Sequence, residues 1–207
     1  METPTLESLA RFNVSRESLS KLEIYVRLLL EWQKHINLIA PSTIGDVWQR
    51  HVIDSLQLLP LIPPNVKAIA DLGSGAGLPA LILAATQPAT VHMYEANSKK
   101  AAFLSEALRQ MKCAGIVHRE HLEPRKAPLK MPEVQVVTAR AFAPLPLLLD
   151  LAAPFLQSGA IGLFHKGQDI DTELAEAAKQ WNITSESHAS KTGPLAVILA
   201  VKEITHV

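Results

Sequence analysis

Cysteine is nearly absent from this chain: Cys113 stands alone. One thiol excludes an intramolecular disulfide and fits a reducing compartment, and its place near a predicted helix end reads as a packed thiol rather than a nucleophile. Net charge is absent as well. Lys plus Arg and Asp plus Glu each number 20, so there is no global attraction for nucleic acid and any basic surface must be local. No apolar run approaches the length of a transmembrane helix. Met1-Glu2-Thr3-Pro4 is not basic and precedes no apolar segment, so no secretory leader is expected. No cluster of His, Cys and acids has metal-ligand spacing, so no metal is expected. Repeats and low-complexity tracts are missing. With 207 residues and a hydrophobic share of 48%, a soluble cytoplasmic protein with one sizeable core is expected, without membrane association and as a monomer.

Glycine is sparse overall and dense in one place. The stretch Asp71-Leu72-Gly73-Ser74-Gly75-Ala76-Gly77-Leu78-Pro79 follows an apolar strand signal and precedes a helical one. Glycines let backbone approach a ligand where a Cβ would collide. The helix beyond offers unpaired N–H groups. Glu95, after a second apolar strand at residues 89–94, is placed to accept hydrogen bonds from both hydroxyls of a ribose. A dinucleotide fingerprint needs glycine or alanine where this chain has Leu78. Asp71 would repel a diphosphate and suit a ligand bearing an ammonium and a sulfonium. These features favour S-adenosylmethionine over NAD. The bland alternative is a turn that only connects a strand to a helix.

Residues 4–12 predict a short helix, and Ser15 caps a second that runs to about Asn37 on Leu19, Leu22, Val26 and Leu29. A third is expected from Pro41, capped by Thr43, to about Leu59, before Pro60, Pro63 and Pro64 mark a junction. Residues 1–60 therefore form an expected helical extension packed on the core, and 64–207 the Rossmann-like domain itself. His51, Asp54 and Ser55 share a face of the third helix. Their types are those of a hydrolase triad, but triad members normally come from separated elements. A polar packing network and a wall of a binding site stay open as alternatives.

From residue 66 strands near 66–72, 89–94, 114–117, 134–139, 160–165, 183–188 and 195–201 alternate with helices near 78–87, 98–111, 144–157 and 169–181. Alternation of this kind predicts an α/β fold with a mostly parallel seven-stranded sheet. The last two strands, joined through Lys191-Thr192-Gly193-Pro194, should pair antiparallel. Ligands then bind at the carboxyl ends of the strands. Glu95, Glu120, His121, Arg140 and Lys166 all fall on that rim. Arg140 ends an apolar strand, where a guanidinium can meet a carboxylate or phosphate. Residues 99–130 hold the one extended basic excess, which is either a solvated helix face or a phosphate-binding one.

Trp32–Leu38, Arg50–Leu56, Asp71–Pro79, Glu95–Lys100, Thr138–Ala141 and Lys166-Gly167 together resemble the bacterial small-subunit ribosomal RNA guanine-N7 methyltransferases (RsmG, or GidB). The resemblance covers nearly the whole chain, in order. It implies a class I methyltransferase fold with a helical extension, S-adenosylmethionine as cofactor, and ribosomal RNA, within the small subunit, as partner. It implies cofactor contacts at Gly73, Leu78, the Glu120-His121 pair and Arg140, to which the loop reading adds Gly75 and Glu95. Ala80 departs from the glycine common at that place, and the third-strand end leaves Leu122-Glu123 as an alternative to Glu120-His121. Guanine N7 carries a free lone pair, so no catalytic acid or base is named. Arg50, Arg140 and Lys166 are expected to position RNA or the purine. The competing functions are a methyltransferase of a small molecule or protein, and a non-catalytic cofactor-binding regulator.

Overall fold

A computed structural model describes residues 4–207; the leader question posed on Met1–Thr3 lies outside the described residues. Helix α1 (Leu6–Leu9) and a 3-10 turn (Ala10–Phe12) precede α2 (Arg16–Trp32). Ser15 caps α2 as expected, its Oγ accepting from Ser18 N–H at 3.0 Å. The helix stops at Trp32 rather than near Asn37. There Gln33 replaces helical bonds with its own: its Oε1 accepts from Leu38 and Ile39 N–H and its Nε2 donates to Ile39 O.

The expected regular third helix is corrected. Pro41–Asp46 is a 3-10 turn, Trp48–Ile53 is π-helical, and only Asp54–Leu56 (α3) is α-helical before a last 3-10 turn at Leu59–Leu61. Thr43 does not cap. Its hydroxyl donates to Ala40 O at 2.8 Å and meets His51 instead. Short π segments are common at functional sites.

The sheet comprises β1 (Ala68–Leu72), β2 (Thr90–Tyr94), β3 (Gly115–His118), β4 (Val136–Arg140), β5 (Ile161–Lys166), β6 (Trp181–Ala189) and β7 (Val197–His206), ordered β3-β2-β1-β4-β5-β7-β6. The first five strands are parallel. β7 runs antiparallel between β5 and β6. That insertion is what chain order alone did not specify. The intervening helices are α4 (Ala80–Thr86), α5 (Ser98–Met111), α6 (Leu145–Leu156) and α7 (Ile170–Ala177).

Two apolar layers flank the sheet. One joins β1 and β2 side chains to α4, α5 and the N-terminal helices, through Leu22, Leu29, Leu56, Ile69, Leu81 and Phe103. The other sets α6 against β4 and β5, through Val137, Leu149, Phe155 and Phe164. The N-terminal helices thus share a core with the sheet. The order of strands reverses at β1, so the crevice lies where β1 and β4 end side by side.

Candidate active site

At the carboxyl ends of these strands lies a cavity of about 810 Å³. Its first wall is the glycine loop. Gly73, Gly75 and Gly77 have φ of 66°, 53° and 78°, a region that L side chains rarely adopt. Ser74 N–H donates to Tyr94 O and Gly77 N–H to Ser74 O, at 3.0 and 2.6 Å. A Cβ on Gly75 would meet nothing nearer than 3.7 Å, so the room it would fill belongs to the cavity. Glu95 seals the loop. Its Oε2 accepts from Gly75 N–H and its Oε1 from Asn97 N–H, both at 2.8 Å. Each carboxylate oxygen keeps a further lone pair.

Asp71 does not face the cavity, which corrects the ligand role expected for it. Its carboxyl is 1% exposed, with Oδ1 accepting from Thr138 Oγ1 at 2.6 Å and Oδ2 unpartnered. Burial pushes it up to about 7, against the hydrogen bond from Thr138, while the Ser74 hydroxyl donates to the Asp71 main-chain O at 3.1 Å. It braces β1 against β4 under the loop. From outside, Tyr25 of α2 donates its buried hydroxyl to Ala76 O at 2.9 Å.

The wall beyond the ends of β2 and β3 is Tyr94, Glu120, His121 and Leu122. Glu123 turns away to Lys126 at 2.7 Å. Glu120 is steadied by accepting from Leu129 N–H at 2.9 Å. Tyr94 stacks on His118 with ring centroids 4.6 Å apart, and its buried hydroxyl has no hydrogen-bond partner among the described residues.

The opposite wall is made by Arg140. Its Nε meets Asp54 Oδ2 at 3.0 Å, and its Nη2 donates to Arg50 O at 2.9 Å and to His51 Nδ1 at 3.1 Å. A guanidinium has no acceptor, so His51 Nδ1 must be the unprotonated nitrogen. His51 Nε2–H therefore donates to Thr43 Oγ1 at 2.7 Å, which passes its own proton bond to Ala40 O. Burial, with Arg140 beside it, lowers His51 to about 4. The relay runs from a strand tip to Leu38–Ala40, which also line the cavity. Arg140 Nη1 keeps its two N–H donors free of bonds within the described residues.

The triad reading of His51, Asp54 and Ser55 is excluded by geometry. Ser55 Oγ donates back to His51 O at 2.8 Å and is fully buried. Asp54 serves Arg140, Gln57 and Thr192. His165 Nε2–H donates to Asp54 O at 3.0 Å, leaving Nδ1 buried with no partner among the described residues, and burial lowers its basicity. Arg50 is exposed. Lys166 is held by Glu173 and by Ala143 O, and lines a second cavity rather than the first. Of the basic run, Arg109, Arg125 and Lys126 are neutralised by Glu106, Asp150 and Glu123. Lys99, Lys100, Lys112, Arg119 and Lys130 have no ion pair among the described residues, and Lys100 reaches the cavity. Sequence reasoning missed Tyr25, Gln57 and Phe142, which act through contacts distant in the chain, and Gln33, which closes a local turn on Leu38 and Ile39.

The sequence model of the family GidB, rRNA small subunit methyltransferase G, matches residues 18–195. This chain belongs to that family. The ribosomal RNA small subunit methyltransferase G of Rhodospirillum rubrum is 47% identical over 191 residues, covering 92% of this chain and 93% of that protein. The same-named protein of Rhizobium meliloti is 40% identical, covering 99% and 98%. Solved structures give the fold. The Bacillus cereus O-methyltransferase with S-adenosylhomocysteine superposes at a TM-score of 0.53 and 14% identity, over 89% of this chain and 91% of that one. M. capricolum TrmK with the same compound gives 0.54 and 13%, over 72% and 67%. The methyltransferase G family thus sits on a Rossmann-like methyltransferase fold, with the described cavity at its strand ends.

Proposed function

We propose that this chain transfers the methyl group of S-adenosylmethionine to N7 of a guanine in small-subunit ribosomal RNA. The observation that carries the proposal is the cavity itself, bounded by a glycine loop, an acid at the end of β2 and an arginine at the end of β4, in a chain of this family.

The residues present fit the cofactor. Gly75 leaves a cradle that a Cβ would fill, and Tyr94 lines the same cavity. Gly73, Gly75 and Leu78 would hold the methionine side, Glu95 the ribose, and Glu120 or His121 the adenine. When bound, the cofactor supplies an electrophilic methyl group on a sulfonium. The chain's own residues orient and desolvate. Glu95, fixed by two backbone N–H groups, accepts hydroxyls without reorganising. Arg140 offers two free N–H donors to a carboxylate or phosphate from a preset position. No side chain has to remove a proton, because N7 presents a lone pair. His51 has no free lone pair and His165 keeps its own buried. Rate then comes from alignment and electrostatics.

Residues 1–60 complete this site as the helical extension, and 64–207 form the methyltransferase domain. Tyr25, Leu38–Ala40 and His51 support that division of labour.

The test is methylation of unmodified small subunits with labelled S-adenosylmethionine, followed by N7-specific chain cleavage. Cleavage at one guanine is expected. Label in protein or a small molecule, or tight calorimetric binding of NADH with none of S-adenosylmethionine, overturns the proposal.

A further inference from the structure

A second chamber of about 350 Å³ opens at the ends of β4 and β5 and shares the wall Arg140–Ala143 with the cofactor cavity. Lys166 and Glu173 form an ion pair in it, with their side chains 7% and 24% exposed. A pair so far out of water adds little net stability, which directs attention to what it presents. Lys166 donates to Glu173 Oε2 and to Ala143 O, the latter at 3.2 Å. An ammonium carries three N–H bonds, so one has no partner among the described residues. Glu173 Oε2 also accepts from Leu145 N–H at 2.6 Å. Oε1 has no hydrogen bond among the described residues. The chamber therefore offers one donor beside one acceptor without any rearrangement. Phe142, 38% exposed, borders both cavities and lays its ring over Gly73.

We propose that this chamber receives the acceptor guanine and reads its Watson–Crick edge, with Lys166 donating to O6, Glu173 Oε1 accepting from N1–H and N2–H, and Phe142 packing on the ring. The proposal rests on the guanine-N7 function stated above. Adenine presents the opposite pattern, an N–H against the ammonium and a lone pair against the carboxylate. Polar sites reject such a mismatch strongly because buried groups are left unpaired. N7 lies on the other ring, outside the edge that is read, and is free to face the shared wall. The transfer balances without a base: the C–N7 bond forms as the S–C bond breaks, and the positive charge passes from sulfur to the purine. A base held this way must leave its stack.

The test uses small subunits reconstituted with 16S ribosomal RNA that carries either guanosine or a single inosine at the methylated position. Inosine keeps O6, N1–H and N7 and lacks the N2 amine. Wild-type kcat/KM is expected to fall roughly tenfold on inosine, the size of one charge-assisted hydrogen bond. Glu173→Ala should slow guanosine and bring the ratio close to one. If Glu173 merely supported the fold, both substrates would slow alike and the tenfold ratio would survive, which overturns the proposal. Calorimetric binding of S-adenosylmethionine within about threefold of wild type verifies folding of the variant. Should Glu173→Ala not fold, Glu173→Gln keeps an acceptor for Leu145 N–H, turns an NH2 toward the base, and must also remove the preference. A wild type that leaves guanosine unmethylated overturns the function and this chamber together. An active wild type with no preference for guanosine overturns the chamber alone.

Discussion

On the β1–β2 side the cavity wall is backbone, a loop with three glycines at positive φ in which Ser74, Gly77 and Gly75 N–H donate to Tyr94 O, Ser74 O and Glu95. On the β4–β5 side it is side chain. Arg140 is held by Asp54, Arg50 and His51, and Lys166 by Glu173 and Ala143. The first wall is built from residues within one loop and the strand beside it. The second needs groups from the N-terminal helices, the β6–β7 turn and α7. A backbone wall keeps its shape through hydrogen bonds made within one loop and the strand beside it. A side-chain wall is rigid only while every partner stays in place, so the two should fail in different ways.

The largest effect belongs to the backbone wall. A Cβ at Gly73 would lie 2.0 Å from the Phe142 ring, on backbone with φ of 66°. The clash is with the protein's own Phe142 rather than with a ligand alone. Gly73→Val should abolish calorimetric cofactor binding, while Gly75→Ala, which has space for its Cβ, should fold and still lose affinity. Wild-type affinity in both would leave the loop a mere connector.

Asp54→Ala tests the other wall. It strands the Arg140 guanidinium and frees Gln57 and Thr192, and should lower stability by about 3 kcal/mol in denaturant titration. Methylation should suffer more than cofactor binding. Equal losses in both would mean that the two walls form a single unit.

Tyr25→Phe asks whether the N-terminal helices support the loop. It leaves Ala76 O without its donor and should cost about 1 kcal/mol. A shift in cofactor affinity larger than the shift in stability would place Tyr25 within the site rather than beneath it.

The smallest effect is expected near neutral pH. With no proton to remove, single-turnover rates at saturating cofactor and RNA should be flat from about pH 6.5 to 8. A rise that His121→Asn flattens would restore a general base. Below that range stability should fall. The folded-state value of His51 is lowered to about 4 from 6.5, so its contribution is complete above 6.5 and lost as pH drops toward 4. In His51→Gln that part of the acid loss should disappear from thermal melts.

Legibility followed the range of the forces. α5 at Ser98–Met111 matches its predicted span, because Asn97 caps it and its apolar period is local. The parallel strands were readable from their short apolar runs, and the glycine loop from spacing alone. The segment 41–59 was not readable. Its sequence has helical period, but the chain there bends to satisfy Arg140, His165 and the β6–β7 turn, which lie about 90 or more residues away.

By itself, then, the sequence determined the alternating architecture, the glycine loop and the acid and arginine at strand tips, since these depend on backbone sterics and on periodicity within one element. Only the tertiary structure decided that Asp71 is a buried brace, that His51 is a neutral relay, and that Lys166 pairs with Glu173 beside a second chamber. Each of those depends on which group from a distant element removes water and supplies the partner, and no local pattern encodes that choice.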